Sequence, residues 1–209
     1  MVNYHGKIYL ALAGFYDVKT DDGQLFRTRA RGNFRKRDMK PLVGDNVTFT
    51  AETQNEGYIL DIDPRENSLV RPPVANIDQA IVVTAVKMPD WSSNLLDRQL
   101  VALEERRIEP VIYFTKTDLL SEVELAEMRE VAAGYRQAGY HVILPEKAFD
   151  RVSLEAVESL LGGKVSVVMG QTGAGKSTLL NHLAPELALE TGEVSQALSR
   201  GRHTTRQVS

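Results

Sequence analysis

The sequence has 209 residues, of which 43% are hydrophobic and 25% are charged, and its formal net charge is −3. This balance is ordinary for globular domains and excludes a fibrous or low-complexity chain. Cysteine is absent, which excludes disulfides and thiolate metal sites within these residues. No run of about 18 apolar residues occurs, and the first residues do not resemble a signal peptide. We therefore expect a cytoplasmic protein without membrane contact.

The first part of the chain predicts short β-strands separated by turns rich in glycine, aspartate, asparagine or proline. The predicted strands cover residues 6–15, 25–31, 46–52 and 58–63. No helical period of adequate length intervenes. A small all-β unit of this size is most simply an OB-type barrel with five strands. We expect this domain to cover residues 1–71, because two prolines follow Arg71.

The second part, residues 72–209, alternates apolar strands with segments of helical spacing. Strands are predicted over residues 77–86, 110–114, 142–144 and 164–169, and helices over residues 94–107, 121–138, 153–161 and 179–183. Strands of continuous apolar character that alternate with helices indicate a parallel sheet covered on both faces. We therefore predict an α/β domain.

A phosphate-binding loop lies between a predicted strand and a predicted helix, and it matches the pattern G-x-x-x-x-G-K-[ST]. Its glycines let backbone N–H groups turn toward phosphates, and the helix that follows presents its positive end. Lys176 would reach the β- and γ-phosphates, and the Ser177 hydroxyl would bind Mg²⁺. The nucleotide-binding residues predicted here are Gly170, Gln171, Thr172, Gly173, Ala174, Gly175, Lys176, Ser177 and Thr178.

The choice of base depends on Thr115-Lys116-Thr117-Asp118, directly after a predicted strand. It is similar to the N-K-x-D motif with which GTPases read guanine. A carboxylate at Asp118 can accept hydrogen bonds from guanine N1–H and from the exocyclic amine, a pair that adenine does not offer. Lys116 would lie along the base, and Thr115 replaces the usual asparagine. The structural alternative is that Asp118 caps the next helix.

The base motif precedes the phosphate loop, which reverses the order of an ordinary GTPase and is the order that circular permutation would produce. Together with the phosphate loop, several stretches resemble the RsgA family, circularly permuted GTPases that act in maturation of the small ribosomal subunit. These stretches are Gly14-Phe15-Tyr16, Arg29-Ala30-Arg31-Gly32, Pro41-Leu42-Val43-Gly44-Asp45, Leu69-Val70-Arg71-Pro72-Pro73-Val74-Ala75-Asn76 and Gly201-Arg202-His203-Thr204-Thr205. They follow the family order over nearly the whole chain.

The resemblance implies an N-terminal OB-fold domain, a permuted P-loop GTPase domain, and GTP hydrolysis stimulated by the small subunit. It also implies an Asp-x-x-Gly switch and a zinc domain with cysteine ligands, neither of which precedes Ser209. We therefore expect a C-terminally truncated chain with impaired GTPase activity. A Ser-Ala-Lys-like guanine contact belongs near Pro145-Glu146-Lys147, where the match is poor.

The stretch that begins at Gly201 would be the first switch segment. The resemblance implies that His203 helps to place the attacking water and that a threonine binds Mg²⁺ and senses the γ-phosphate. We favour Thr205 over Thr204 for that role. The predicted catalytic residues are thus His203, Lys176 and Thr205.

Residues 27–40 contain seven basic residues and one acidic residue, which indicates a polyanionic partner. The predicted nucleic-acid contacts are Arg29, Arg31, Arg35, Lys36 and Arg37. Phe26 and Phe34 lie among these charges, a composition suited to stacking on exposed RNA bases. The alternative is a solvated basic surface.

Three functions fit these observations. The leading one is a monomeric GTPase that uses GTP and Mg²⁺ in late maturation of the small ribosomal subunit and contacts its rRNA. The second is a non-hydrolysing RNA-binding module that responds to GTP. The third is an ATP-dependent P-loop kinase or transporter domain, which guanine reading by Asp118 would contradict.

Overall fold

The computed structural model describes residues 2–30, 34 and 39–185, and the backbone of residues 194–195 and 200–201. Contacts divide the chain into two compact units, one reaching Ile77 and the other starting at Asp78. The predicted domain boundary at Arg71 precedes this division. Within the described residues, no helix has the length and apolar character needed to cross a membrane.

Five strands of the first unit close into a barrel in the order β1–β2–β3–β5–β4. They are β1 (Val2–Leu12), β2 (Phe15–Thr20), β3 (Leu25–Ala30), β4 (Asn46–Thr53) and β5 (Glu56–Ile62). Neighbouring strands pair antiparallel except β3 and β5, which are parallel. The predicted five-stranded OB-type barrel is confirmed.

A tight turn at Ala13 and Gly14 separates β1 from β2, whereas the sequence predicted one strand over residues 6–15. Both turn residues have positive φ, 51° and 84°, and Leu12 pairs with Phe15 across the turn. Two consecutive residues with positive φ fit the twist of a β-hairpin. The prediction was wrong here because alanine seldom adopts positive φ and gave no turn signal.

The barrel core consists of side chains that alternate inward along the strands. Its buried members are Ile8, Tyr16, Val18, Phe26, Phe34, Val47, Phe49, Ala51 and Ile59. Phe26 and Phe34 are 5% and 3% exposed, and the Phe26 ring centroid lies 5.3 Å from that of Phe49. The prediction that Phe26 and Phe34 stack on exposed bases is therefore wrong, because both rings fill the barrel interior.

A fully buried carboxylate, Asp45, stabilises the entrance to β4. It accepts hydrogen bonds from Arg65 Nε at 2.7 Å and Arg65 Nη2 at 2.8 Å, and from the Leu42 backbone N–H at 2.7 Å. The hydrogen bond to Asp45 raises the pKa of Arg65. These bonds give both carboxylate oxygens of the buried Asp45 hydrogen-bond partners.

Two short strands, β6 (Ser68–Leu69) and β7 (Val74–Ala75), pair antiparallel after the barrel. The amide of Asn76, which follows β7, donates to the Gly44 carbonyl at 2.9 Å. This bond joins two of the stretches that carried the family resemblance. In the structure these stretches stabilise the first unit.

The second unit contains a four-stranded parallel sheet in the order β10–β9–β8–β11. Its strands are β8 (Gln79–Ala85), β9 (Glu109–Thr115), β10 (His141–Ile143) and β11 (Ser166–Gly170). The helices that alternate with them are α1 (Ser93–Glu104), α2 (Glu122–Gln137), α3 (Arg151–Leu161) and α4 (Lys176–Leu183), and a 3₁₀ turn covers Thr117–Leu119. An antiparallel pair, β12 (Val194–Ser195) and β13 (Arg200–Gly201), follows α4. The predicted α/β alternation is confirmed.

The two central strands, β8 and β9, are buried along most of their length, as strands covered on both faces must be. Gln79 at the start of β8 is fully buried, and its amide donates to the Leu160 carbonyl at 2.7 Å and to Ser166 Oγ at 2.8 Å. The buried Gln79 amide therefore has hydrogen-bond partners. The opposite edge, where the parallel strands end, carries the two predicted nucleotide motifs.

Candidate nucleotide-binding site

The glycine loop lies between β11 and α4, at the carboxyl end of a strand of the parallel sheet. Gly170 has a φ of 141°, and a β-carbon on this residue would lie 2.1 Å from the Val83 carbonyl oxygen. Glycine alone tolerates such an approach. Gly175, with a φ of 93°, then forms the N-cap of α4 without a side-chain capping bond. The positive end of α4 therefore faces the loop.

The ammonium group of Lys176 lies against the loop backbone. Its Nζ donates to the carbonyl oxygens of Gly170 at 3.1 Å and Gln171 at 2.9 Å. Burial lowers the pKa of Lys176. Both bonded carbonyls are uncharged, so neither neutralises the ammonium. A bound phosphate would supply the missing negative charge.

Thr115, the last residue of β9, connects the base motif to the phosphate loop. Its side chain is buried, with 1% of the residue exposed, and its hydroxyl donates to the Ala174 carbonyl at 2.6 Å. These two residues are 59 positions apart in the chain. The two predicted motifs are therefore adjacent, and the Thr115 hydroxyl is engaged with the loop.

Lys116 and Thr117 turn the chain away from β9. Lys116 adopts a left-handed conformation with a φ of 60°, and its ammonium donates to the Met88 carbonyl. Burial lowers the pKa of Lys116, against the opposing effect of the Asp118 carboxylate. Thr117 is 2% exposed, and its hydroxyl has no hydrogen-bond partner among the described residues.

Asp118 is exposed in the 3₁₀ turn, and the structural alternative, in which it caps the next helix, is excluded. Ser121 caps α2 instead. Its backbone N–H donates to the Glu124 carboxylate at 2.8 Å, and the Glu124 backbone N–H donates to the Ser121 hydroxyl at 3.3 Å. Lys87 also pairs with Glu124 at 2.7 Å. Bonds from Lys87 and then Ser121 lower the pKa of Glu124 to about 2. The Asp118 carboxylate is thus left accessible to a ligand.

The loop after β10, where a further guanine contact was expected, is organised by Asp150. This carboxylate accepts from the backbone N–H groups of Ser153 at 2.8 Å, Glu146 at 3.1 Å and Lys147 at 3.2 Å. These bonds, led by that of Ser153, lower the pKa of Asp150. The amides of residues 146 and 147 are therefore engaged within their own loop.

Phe149 packs beside the phosphate loop and was missed by the sequence reasoning. It has a φ of 54°, and its ring stacks on His182 of α4 with centroids 5.0 Å apart and on Tyr113 of β9 at 6.3 Å. A β-carbon on Gly175 would lie 3.5 Å from this ring. An aromatic residue directly before the helix cap Asp150 is the signal that could have found it.

Several predicted site residues lie outside the described part of the chain. They are the switch residues His203, Thr204 and Thr205 and the basic residues Arg31, Arg35, Lys36 and Arg37. Arg29 is described and is exposed on β3. In the part of the chain that the structure describes, no three histidine or carboxylate side chains gather as a metal site requires.

A parallel sheet with a strand–glycine loop–helix element and a loop-bound lysine defines a P-loop nucleotide-binding protein. Comparison of the sequence with models of known protein families identifies the family within this class. Residues 62–209 match the family model described as RsgA GTPase, and residues 5–59 match the RsgA N-terminal domain. The chain belongs to the RsgA GTPase family.

Curated relatives are named small ribosomal subunit biogenesis GTPase RsgA. The protein from Limosilactobacillus fermentum is 62% identical over 205 residues, which are 98% of this chain and 69% of that protein. RsgA 1 from Lactiplantibacillus plantarum is 61% identical over 204 residues, covering 98% of this chain and 68% of that protein. The similarity therefore extends through both units.

Two solved structures have the same architecture. YloQ, described as a circularly permuted GTPase, is 40% identical with a TM-score of 0.73, over 90% of this chain and 67% of YloQ. YjeQ from Thermotoga maritima is 33% identical with a TM-score of 0.77, over 91% of this chain and 68% of YjeQ. With the base motif ahead of the phosphate loop, this chain is an OB-type barrel followed by a circularly permuted α/β GTPase domain.

Proposed function

We propose that this chain binds GTP and GDP with Mg²⁺ and hydrolyses GTP during late maturation of the small ribosomal subunit. The names of its relatives support the cellular role. The observation that carries the biochemical part is the hydrogen bond from the Thr115 hydroxyl to the Ala174 carbonyl. It holds a base-reading motif against a phosphate-binding loop, and a GTPase needs both in one place.

The phosphates bind the loop and the first turn of α4. Backbone N–H groups and the positive helix end surround them. Lys176 exchanges its two carbonyl partners for phosphate oxygens, a favourable exchange because phosphate neutralises the buried ammonium. The residues assigned to this part are Gly170, Gln171, Thr172, Gly173, Ala174, Gly175, Lys176, Ser177 and Thr178.

The guanine base binds the motif at the end of β9. The exposed Asp118 carboxylate accepts from N1–H and from the exocyclic amine, and the Lys116 stem lies along the base. Thr115 acts by positioning, since its hydroxyl is bonded to the phosphate loop. Thr117 turns the chain so that Asp118 faces the ligand.

Mg²⁺ would be held by Ser177, in the first turn of α4, and by Thr205. Hydroxyl, water and phosphate oxygens are the ligands that this cation prefers, so Ser177 beside a phosphate loop fits it. When bound, Mg²⁺ neutralises charge on the transferred phosphoryl group. Zinc belongs, by the family resemblance, to a region that this cysteine-free sequence does not contain.

Three residues carry hydrolysis in this proposal. Lys176 stabilises charge on the γ-phosphate, His203 orients the attacking water, and Thr205 senses the γ-phosphate. The resemblance at Gly201-Arg202-His203-Thr204-Thr205 supports the last two roles. These residues belong to the proposed GTPase domain, residues 72–209.

The proposed OB domain, residues 1–71, contacts ribosomal RNA. The excess of seven basic residues over one acidic residue between positions 27 and 40 supports this role. The residues assigned to RNA are Arg29, Arg31, Arg35, Lys36 and Arg37. We propose a cytoplasmic monomer that makes no membrane contact.

Phosphate release at saturating GTP, with and without purified small subunits, tests the proposal. The 209-residue chain is compared with a version that carries the Asp-x-x-Gly segment implied by the resemblance. We expect subunit-stimulated release from the longer version and little from the shorter one. In the longer version Lys176→Ala should abolish this release. Lys164→Ala in the same version is the matched control, because it also removes one lysine but at an exposed position where the side chain pairs with Glu109 at 2.7 Å.

The alternative, a non-hydrolysing RNA-binding module, predicts a different pattern. In that case GTP would change the affinity for small subunits, while neither version would release phosphate above the Lys176→Ala background. Stimulated release by the longer version would exclude this alternative.

A further inference from the structure

Four outward-facing side chains form a row across the barrel surface. Leu12 of β1 pairs with Phe15 of β2, and Phe15 pairs with Arg29 of β3. Arg29 in turn pairs with Tyr58 of β5. Leu12 is 58% exposed and Tyr58 is 49% exposed. We call these four residues the outer row.

The centre of the outer row is an arginine stacked on an aromatic ring. The Arg29 guanidinium carbon lies 4.4 Å from the centroid of the Phe15 ring. Cross-strand partners on one face of a sheet are close neighbours, so Tyr58 lies beside Arg29 on its other side. The row therefore presents a guanidinium stacked on the Phe15 ring, with the exposed Tyr58 on the neighbouring strand.

The charge of Arg29 distinguishes it from its neighbour Arg27 on the same strand. Arg27 forms a two-pronged ion pair with Asp17, with distances of 2.9 and 3.0 Å. In the described part of the chain, no carboxylate forms an ion pair with Arg29. A cation already stacked on Phe15 thus remains available to a negatively charged partner.

We propose that the outer row is a stacking platform for unpaired RNA bases, with Arg29 binding an adjacent phosphate. Aromatic rings and guanidinium planes stack on the face of any base, and a base is accessible to them when its strand is unpaired. Strands 2 and 3 of an OB barrel form its usual nucleic-acid face, and the row crosses both. This inference deepens the proposed RNA role of the barrel and rests on it.

A protein partner is the competing occupant. An exposed arginine and an exposed tyrosine would also suit a protein interface. The Arg29 cation, which pairs with no carboxylate among the described residues, favours a polyanion, as do the basic residues that follow it in sequence, so we commit to RNA.

The test measures binding of single-stranded and duplex RNA, each about ten nucleotides long, to the full chain by fluorescence anisotropy. We expect the single strand to bind more tightly than the duplex. Tyr58→Ala should weaken single-strand binding by about 5- to 150-fold, the effect of one lost stacking contact. Tyr9→Ala is the matched control, because Tyr9 is 61% exposed on β1 but lies outside the row.

Two lysine variants separate stacking from charge. Arg29→Lys keeps the charge and loses the guanidinium plane, so we expect weaker binding with an unchanged salt dependence. Arg27→Lys should leave binding unchanged, since Arg27 is paired with Asp17. Each variant must retain the far-UV circular dichroism and the melting curve of the parent chain, which shows that the barrel is folded.

The inference is overturned by equal affinity for duplex and single strand, or by equal effects of Tyr58→Ala and Tyr9→Ala. It is also overturned if the row variants bind RNA normally but lose small-subunit binding, the result expected of a protein partner. None of these outcomes touches GDP binding or phosphate release. The GTPase proposal therefore fails or survives independently.

Discussion

The barrel and the parallel-sheet unit differ in the kind of atoms that form their candidate binding surfaces, side chains in the barrel and mainly backbone in the sheet unit. In the sheet unit the candidate site is largely backbone, since the loop offers N–H groups and the Lys176 ammonium rests on carbonyls. In the barrel the candidate surface consists of side chains, such as Phe15 and Arg29, that strand register brings together. A backbone site requires particular glycines at fixed spacing, whereas a side-chain surface requires only the pairing of strands. A sequence motif can therefore predict the backbone site, but it cannot predict the side-chain surface.

The largest expected effect is on the barrel, at its buried ion pair. Asp45→Ala leaves Arg65 and the Leu42 N–H without their partner, so we expect the free energy of unfolding to fall by about 3–5 kcal/mol. Asp17→Ala, which removes the partner of the exposed Arg27, should lower the free energy of unfolding far less, because solvent screens this pair. Urea unfolding of both variants measures the difference. Equal losses would show that burial does not set the strength of these pairs.

The next effect is on the phosphate loop. Lys176→Ala should reduce GDP affinity by roughly 100-fold or more, because charged bonds to two phosphates are lost. The stability of the nucleotide-free chain should not fall, since the variant removes a buried ammonium whose partners are neutral. Calorimetric titration and thermal unfolding measure the two quantities. A destabilised variant with normal GDP affinity would make Lys176 a structural residue.

Two threonines on either side of Lys116 form a matched pair. Thr115→Val leaves the Ala174 carbonyl without its donor and should destabilise the sheet unit by about 1–3 kcal/mol, with weaker GDP binding. Thr117→Val should be neutral or stabilising, because the Thr117 hydroxyl is buried without a partner. Chemical unfolding and GDP titration of the two variants give the comparison. If Thr115→Val and Thr117→Val change stability and GDP affinity equally, the hydrogen bond of Thr115 to Ala174 does not stabilise the site.

The smallest effect concerns the cap of α2. The pKa of Glu124 falls from 4.5 to about 2 in the folded chain, so its contribution to stability is present above pH 4.5 and is lost as the pH falls toward 2. Glu124→Gln should therefore lower the melting temperature slightly near neutral pH, and the difference from the parent should shrink in acid. Melting curves between these pH values measure it. A difference that is constant with pH would mean that the Glu124 charge is not involved.

Most of the sheet unit could be predicted because its strands are continuous apolar runs and its helices carry clear caps. The helix predicted over residues 121–138 is α2 with Ser121 and Ala138 as its caps. The phosphate loop is predicted from its pattern between a strand and a helix, and Asp118 from a shorter pattern directly after a strand. Thr115 departs from the motif in the sequence, but only the fold shows its hydrogen bond, since its partner Ala174 is remote in sequence.

The barrel was less predictable because its inward and outward positions depend on register. The charged neighbours of Phe26 and Phe34 favour a role in RNA stacking, yet both rings fill the core. Phe15 and Tyr58 belong to different strands and become neighbours of Arg29 only when β2, β3 and β5 pair. Phe149 is a similar case in the sheet unit, since stacking on Tyr113 and His182 is a property of the fold.

The central claim is that the base motif and the phosphate loop form one guanine-nucleotide site. Calorimetric titration of the parent chain and Asp118→Asn with GDP, XDP and ATP tests it most directly. We predict that the parent binds GDP and that ATP does not compete. Asp118→Asn should bind GDP more weakly and XDP more tightly, because an amide donor suits the C2 carbonyl of xanthine. Unchanged affinities for GDP and XDP, or effective competition by ATP, would contradict the account.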